Sequence, residues 1–400
     1  MVTIYTQAYN VEAYITKCIE SVLGQTYGEW EWILVENGST DNTKAIIQAY
    51  EKRDTRIRCI YHDINQKNFA QDYICEYARG EYIVKLDSDD FWDSRYLEKL
   101  VYALETSEAD LACCKATVLD EVNNEQYYHG FRKYEGIITA KDIAEQYGEI
   151  EIDMNTYWAK LMKRDLFIKA CNTYRKLYGE KIKVGYCGDT TFMFCYLNEC
   201  NKSVFLMEAL YFYRLHRKNA SKTVIDTNAL EDCLASFDVK QRFLQKSNAW
   251  SEQNAERVYR VFWGNLDTIF KNMIQNDVLN NRQKIEAMGK ILSDDRVLKI
   301  RKEFCDEHIR KVLSTYIAWC YTNMEKECEN VFLKMLITMD PELFSGITIE
   351  QYNFLISEKI LIALLILGEK EEALQHLENI WIDNDDENYK LYSYFHDRLI

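Results

Sequence analysis

Over the first hundred residues the apolar positions switch between two periods. Short β-branched or aromatic runs at Val2–Thr6, Trp32–Val35, Arg56–Tyr61 and Tyr82–Leu86 predict strands. Between them, Val11–Leu23 sets Ile15, Ile19, Val22 and Leu23 on one helical face. Asn42–Tyr50 does the same with Ala45, Ile46 and Ala49, and Phe69–Tyr77 continues the rhythm. A βαβαβαβ succession predicts parallel strands with right-handed crossovers, since each helix must carry the chain back along the sheet. In such sheets ligands gather beyond the carboxyl ends of the strands. From about Asn228 the period is helical alone, with Val258, Val261, Phe262, Leu266, Ile269, Phe270 and Met273 in one stripe. The change of period predicts an α/β domain with a mostly parallel sheet over residues 1–225, then an all-α domain over 226–400.

Ile360–Gly368 followed by Glu369–Trp381 reads as a helix, turn and helix. Gly368, Ala373, Leu377 and Ile380 resemble half of a tetratricopeptide repeat, echoed by Asn323, Cys328, Phe332 and Met335. Their separation does not fit a ~34-residue array, so the expectation is helical-hairpin packing that stabilises, oligomerises or recruits a partner.

Composition sharpens this picture. Fourteen glycines and one proline in 400 residues leave few turn formers, which disfavours a sandwich of many short strands. A net charge of −15, with no basic run interleaved with aromatics, argues against nucleic acid as a partner. The thirteen cysteines are scattered and include the adjacent pair Cys113-Cys114, which points to reduced thiols. No CxxC or HExxH supports a structural zinc site. No signal-like segment precedes the first strand, and the longest uncharged apolar run, Ile360–Leu367, is far short of the ~20 residues of a membrane span. The expected location is cytoplasmic, with peripheral contact at the inner face of the membrane left open.

Three polar clusters directly follow predicted strands: Gln7-Ala8-Tyr9-Asn10, Glu36-Asn37-Gly38-Ser39 and Asp87-Ser88-Asp89-Asp90. Parallel topology brings their strand ends to one edge, so a shared site is the economical expectation. Three aspartates in one short loop repel one another unless a cation relieves them, and hard oxygen ligands suit Mg²⁺ or Mn²⁺. Taken alone, the acidic loop is equally a solvated turn before a helix N-cap at Ser94. A calcium loop fails, because the fifth and sixth positions from Asp87 are Phe91 and Trp92, where an oxygen ligand and a glycine are required.

The run VTIYTQAYNVEAYITKCIESVLGQTYGEWEWILVENGSTDNT, followed by ARGEYIVKLDSDDFW, resembles the family 2 glycosyltransferases, whose fold is the A-type nucleotide-diphosphosugar fold. WAKLMKRDLF from Trp158, GDTTF from Gly188 and YRLHRKNAS from Tyr213 resemble later blocks of that family in the same order, so the likeness covers roughly residues 2–220. It implies that Gln7, Ala8, Tyr9, Asn10, Glu36 and Asn37 hold the nucleotide, with Tyr9 against the base. Asp87, with Ser88 and Asp90 beside it, would serve the donor, Asp89 would bind the metal, and His216 falls where many A-type enzymes supply a late metal ligand. Asp189 falls at the position of the catalytic base, although a helix beginning at Thr190 could use it as a cap. Trp158 is a candidate sugar platform in the acceptor site, or else a core aromatic.

The resemblance implies an inverting transfer from a nucleoside-diphosphate sugar to a hydroxyl of a glycan or lipid-linked acceptor, in cell-surface polysaccharide or related glycan synthesis. The chain departs from the family's usual pattern at Gln7, Glu36, Asn37, Gln71 and Gly188. The loss of arginine at position 71 removes a diphosphate contact that Lys67 or Lys85 could replace. Asn37 can still pair with uracil or thymine, since an amide both donates and accepts. The rival expectation from another class is a non-catalytic sugar-nucleotide-binding subunit that recruits a partner through its helices.

Overall fold

A computed structural model describes residues 1–65, 71–130, 134–156, 158–178, 187–216 and 229–323. The ten strands of the sheet are β1 (Val2–Ala8), β2 (Trp30–Asn37), β3 (Ile57–His62), β4 (Tyr82–Lys85), β5 (Phe91–Trp92), β6 (Leu111–Asp120), β7 (Glu125–His129), β8 (Gly136–Thr139), β9 (Lys160–Lys163) and β10 (Lys202–Leu215). Their order is β3-β2-β1-β4-β9-β6-β10-β5, with β7 added to β6 and β8 to β10. β3, β2, β1 and β4 are parallel, as the alternating periods predict. β9 runs antiparallel between β4 and β6 and joins this half to the remaining strands, giving a mixed α/β sheet.

The helices of the parallel half are α1 (Ile15–Leu23), α2 (Thr43–Glu51) and α3 (Gln71–Tyr77). α1 buries Ile15, Cys18, Ile19 and Val22 against the sheet, in a cluster with Val2, Ile4, Trp32 and Leu34. It begins four residues later than its apolar stripe suggests, because residues 10–12 are tied to the loop after β2. There the Val11 N–H donates to Thr43 Oγ1 at 2.8 Å and the Glu12 N–H to Asp41 at 3.1 Å.

Two compact units divide the chain after Val258. The first therefore extends beyond the boundary at 225 expected from periodicity. α9 (Ala229–Lys246) packs on α8 (Gly188–Leu197), with Phe243 edge-on to Phe194 at 5.7 Å. Lys240 of α9 also reaches Glu151 of α6 (Tyr147–Met154) at 2.6 Å, both side chains being almost fully buried. In the second unit, α11 (Asn281–Leu292), α12 (Asp295–Glu303) and α13 (Glu307–Thr322) are described. The helix pair expected at Ile360–Trp381 and most of its fainter echo lie outside the described residues. No helix among the described residues is long and apolar enough to cross a membrane.

Candidate active site

The site is built at the carboxyl edge of β2, β1 and β4, where register places Ala8 beside Glu36 and Tyr5 beside Lys85. β1 is buried on both faces up to Thr6, and Gln7 is its one exposed residue, followed by buried Ala8. Tyr9 beyond it keeps 41% of its surface open, a ring free to face a ligand. Asn10 adopts a left-handed backbone (φ 52°), which asparagine tolerates better than most residues. Its Oδ1 accepts from the Thr40 N–H at 2.8 Å, and its own N–H donates to Ser39 Oγ at 3.0 Å. These bonds fasten the loop after β1 to the loop after β2.

Glu36 is fully buried and accepts the Ser39 N–H at 2.6 Å on Oε1, while Oε2 has no hydrogen-bond partner among the described residues. Asn37 is buried too, and its amide donates to Asn65 at 2.8 Å. Gly38 follows with φ 72°, and a Cβ there would lie 2.6 Å from the Ile64 backbone. Only glycine suits this turn.

The acidic loop is divided by function. Asp87 Oδ1 is 2.9 Å from Lys85 Nζ, and Ser88 is buried. Asp89 Oδ2 is 3.0 Å from His216 Nε2, joining two residues 127 positions apart. Burial, with Asp87 nearby, holds the Asp89 carboxyl above its ordinary range, and the His216 contact pulls the other way. Asp90 departs from its expected role as a donor contact. It is 1% exposed, accepts the Tyr211 hydroxyl at 2.8 Å on Oδ2 and accepts the Arg214 N–H at 2.8 Å on Oδ1. Burial and the two neighbouring aspartates push this carboxyl well above the usual range. Asp90 thus braces the loop against β10, and both oxygens face protein.

Asp189 lies in the first turn of α8, which begins at Gly188, and not at a cap before Thr190. Its Oδ1 faces Lys85 Nζ at 3.8 Å. The surrounding protein raises its pKa most, Lys85 and Lys160 oppose the rise, and Asp87 adds to it. The side chain still keeps 42% of its surface open, so the cleft is walled but wet and water moderates the shift. Lys160 is buried beside it, its own pKa lowered by desolvation, with Nζ 3.3 Å from Thr156 Oγ1. Sequence reasoning missed Lys160. A lysine at the head of the short run Lys160–Lys163 was its one visible signal.

Trp158 bridges to Lys85 and stacks on Tyr213 and Tyr211, each with centroids 5.3 Å apart. It packs partly buried against the main core and leads into Ala159, a non-glycine residue at φ 56°. Gln71 is buried at the start of α3. Lys67 lies outside the described residues.

Beyond Asp89 a concavity of about 590 Å³ opens between the loops after β1, β2 and β6 and the end of β10, with Tyr14, Glu121 and His216 on its walls. Among the described residues no three His, Cys, Asp or Glu side chains form a ready cage for a metal ion. One carboxylate and one imidazole nevertheless match the donor set of Mn²⁺ or Mg²⁺, ions that keep positions for water and phosphate oxygens.

Residues 3–170 match the model of Glycosyl transferase family 2. It is 31% identical over 216 residues to the uncharacterized glycosyltransferase EpsJ of Bacillus subtilis (strain 168), a match covering 54% of this chain and 61% of that one. It is 35% identical over 117 residues to the chondroitin synthase of Escherichia coli, covering 29% of this chain and 17% of that one. Each match thus spans less than two thirds of the relative's length. A likeness of fold extends further. S. aureus TarS 1-349 in complex with UDP-GlcNAc aligns with a TM-score of 0.53 at 16% identity, covering 87% of this chain and 94% of that one.

Proposed function

We propose that this chain is an inverting, metal-dependent glycosyltransferase that moves a sugar from a nucleoside-diphosphate sugar to a hydroxyl of a growing glycan. The observation that carries this reading is the pairing at one sheet edge of two stations. Asp89 with His216 forms one, and Asp189 with Lys85 and Asp87 the other. Exposed Tyr9 would cover the base, and Glu36 and Asn37 would line the floor beneath it. Asp89 and His216 would hold a divalent cation, which supplies neutralisation of the charge that develops on the departing diphosphate. Asp189 would take the proton of the acceptor hydroxyl, a role worth ~10² to 10⁴ in rate. A single base on the face opposite the leaving group gives one displacement and hence inversion.

Chondroitin synthase among the relatives favours a polysaccharide product, and the UDP-GlcNAc complex of TarS favours a uridine nucleotide. The acceptor would be a cell-surface glycan, carried on a lipid at the inner face of the membrane. Thermal melting of the full chain with UDP, TDP, GDP and CDP, each with and without Mn²⁺, tests the donor side. One nucleotide should raise the melting temperature well beyond the others, and only with the metal, since ligands specific for the folded state stabilise by mass action. Equal shifts with all four, or none, would refute it.

A further inference from the structure

Tyr14 stands immediately before α1, and its ring stacks on the imidazole of His216 with centroids 4.6 Å apart and planes 18° from parallel. The phenol is itself held. Its Oη donates to Glu121 Oε2 at 3.4 Å, and Glu121 Oε1 receives Arg214 Nη1 at 2.9 Å. The Arg214 guanidinium also lies 5.4 Å from the centre of the Tyr14 ring, and its backbone N–H is fixed on Asp90. Tyr14 is half-buried and stands apart from the apolar cluster that α1 shares with the sheet. A simple core role therefore does not account for it.

An imidazole binds a metal ion only when the lone pair of one nitrogen points at the ion. The torsion that turns the ring is broad and weakly restrained, so its orientation has to come from neighbours. We infer that Tyr14 is a positioning residue. By stacking on His216 it fixes the plane of the imidazole with Nε2 toward Asp89, and so sets the affinity of the site for a divalent cation. This rests on the metal-dependent reading of Asp89 and His216. The Glu121 and Arg214 contacts steady the phenol, but the flat face does the positioning, which separates two substitutions at this one residue.

The test is Mn²⁺ binding to the full chain with saturating UDP, followed by the electron paramagnetic resonance of free Mn²⁺. Tyr14→Leu keeps apolar bulk and loses the stack, whereas Tyr14→Phe keeps the stack and loses the hydroxyl. The inference expects Tyr14→Leu to weaken Mn²⁺ binding by roughly 10- to 100-fold, the usual range for a group that orients a ligand. It expects Tyr14→Phe to stay close to the parent chain. Tyr14→Leu combined with His216→Ala should bind no more weakly than His216→Ala alone, because the two act through one contact. Unchanged binding in Tyr14→Leu beside a large loss in His216→Ala would overturn the inference alone, as would losses that add in the double variant. No loss in His216→Ala, or no Mn²⁺ binding by the parent chain, would overturn the metal reading and this inference with it.

Discussion

Lys85 Nζ lies 3.8 Å from Oδ1 of Asp189, so the candidate base shares its cleft with a cation. Protein around Asp189 disfavours its charged form and Lys85 restores part of it. The base must be ionised to accept a proton, so the acid limb of kcat/KM should lie above the ordinary carboxylate range. Removing the cation in Lys85→Met makes ionisation harder still. The limb should then move to higher pH. A limb that stays in place or moves down would show that Lys85 does not act on the base.

Asp90 is expected to behave as a brace. Asp90→Ala should cost roughly 1–3 kcal/mol of stability by stranding the Tyr211 hydroxyl and the Arg214 N–H, as read by urea unfolding. The affinity of the folded variant for UDP should fall much less than that of Asp89→Ala. The sign of the pH dependence follows from the direction of its shift. A carboxyl whose folded pKa lies above its unfolded value binds protons more tightly in the folded state. Stability without metal should therefore fall as pH rises from the ordinary aspartate range through the folded value, and Asp90→Asn should flatten part of that slope.

The pair of Glu151 and Lys240 predicts the opposite sign. Burial alone would raise the Glu151 pKa, but Lys240 and Asn155 bring it below the ordinary value. Its contribution is present above the unfolded glutamate pKa and is lost as pH falls through the folded one. Glu151→Gln leaves a buried lysine without its carboxylate, with an expected cost of ~3–5 kcal/mol. Exchanging both residues for apolar ones of similar size should cost far less. Chemical denaturation of the two variants and the parent chain at neutral pH checks this.

The parallel half of the fold was legible because its strands are short runs rich in β-branched and aromatic residues and α1 carries a clean stripe; α2 instead buries Thr43 and Ile47, and the Ala45 and Ala49 of its expected face are exposed. The other half was harder to read for physical reasons. β9 is four residues long and has lysine at both ends. β10 is interrupted by bulges between Leu206 and Tyr211, which break its alternation. Cys113 and Cys114, which read as scattered thiols, lie side by side in buried β6 and point to opposite faces. In the site, Asp89 and His216 belong to separate sequence motifs, and the structure sets them 3.0 Å apart. The stacking of Tyr14 on His216 could not be read at all, since no local pattern links α1 to the end of β10.

The domain boundary gives a further prediction. A fragment ending at Thr227 removes α9 and with it Phe243 and Lys240, leaving Phe194 and Glu151 uncovered. It should aggregate or melt well below the intact first unit. A fragment ending at Val258 should remain monomeric with a cooperative transition. Equal stability of the two fragments would place the functional boundary at the change of sequence period after all.

The most direct test of the central claim is sugar transfer by Asp189→Asn, measured with donor affinity and melting temperature on the same preparation. Asparagine keeps the size and polarity of the side chain but cannot take a proton at neutral pH. Transfer to acceptor should drop by ~10²-fold or more, a loss of about 2.7 kcal/mol of transition-state stabilisation, with donor affinity and melting nearly unchanged. Transfer at the parent rate would contradict the account, and absence of transfer in the parent chain as well would favour a binding subunit.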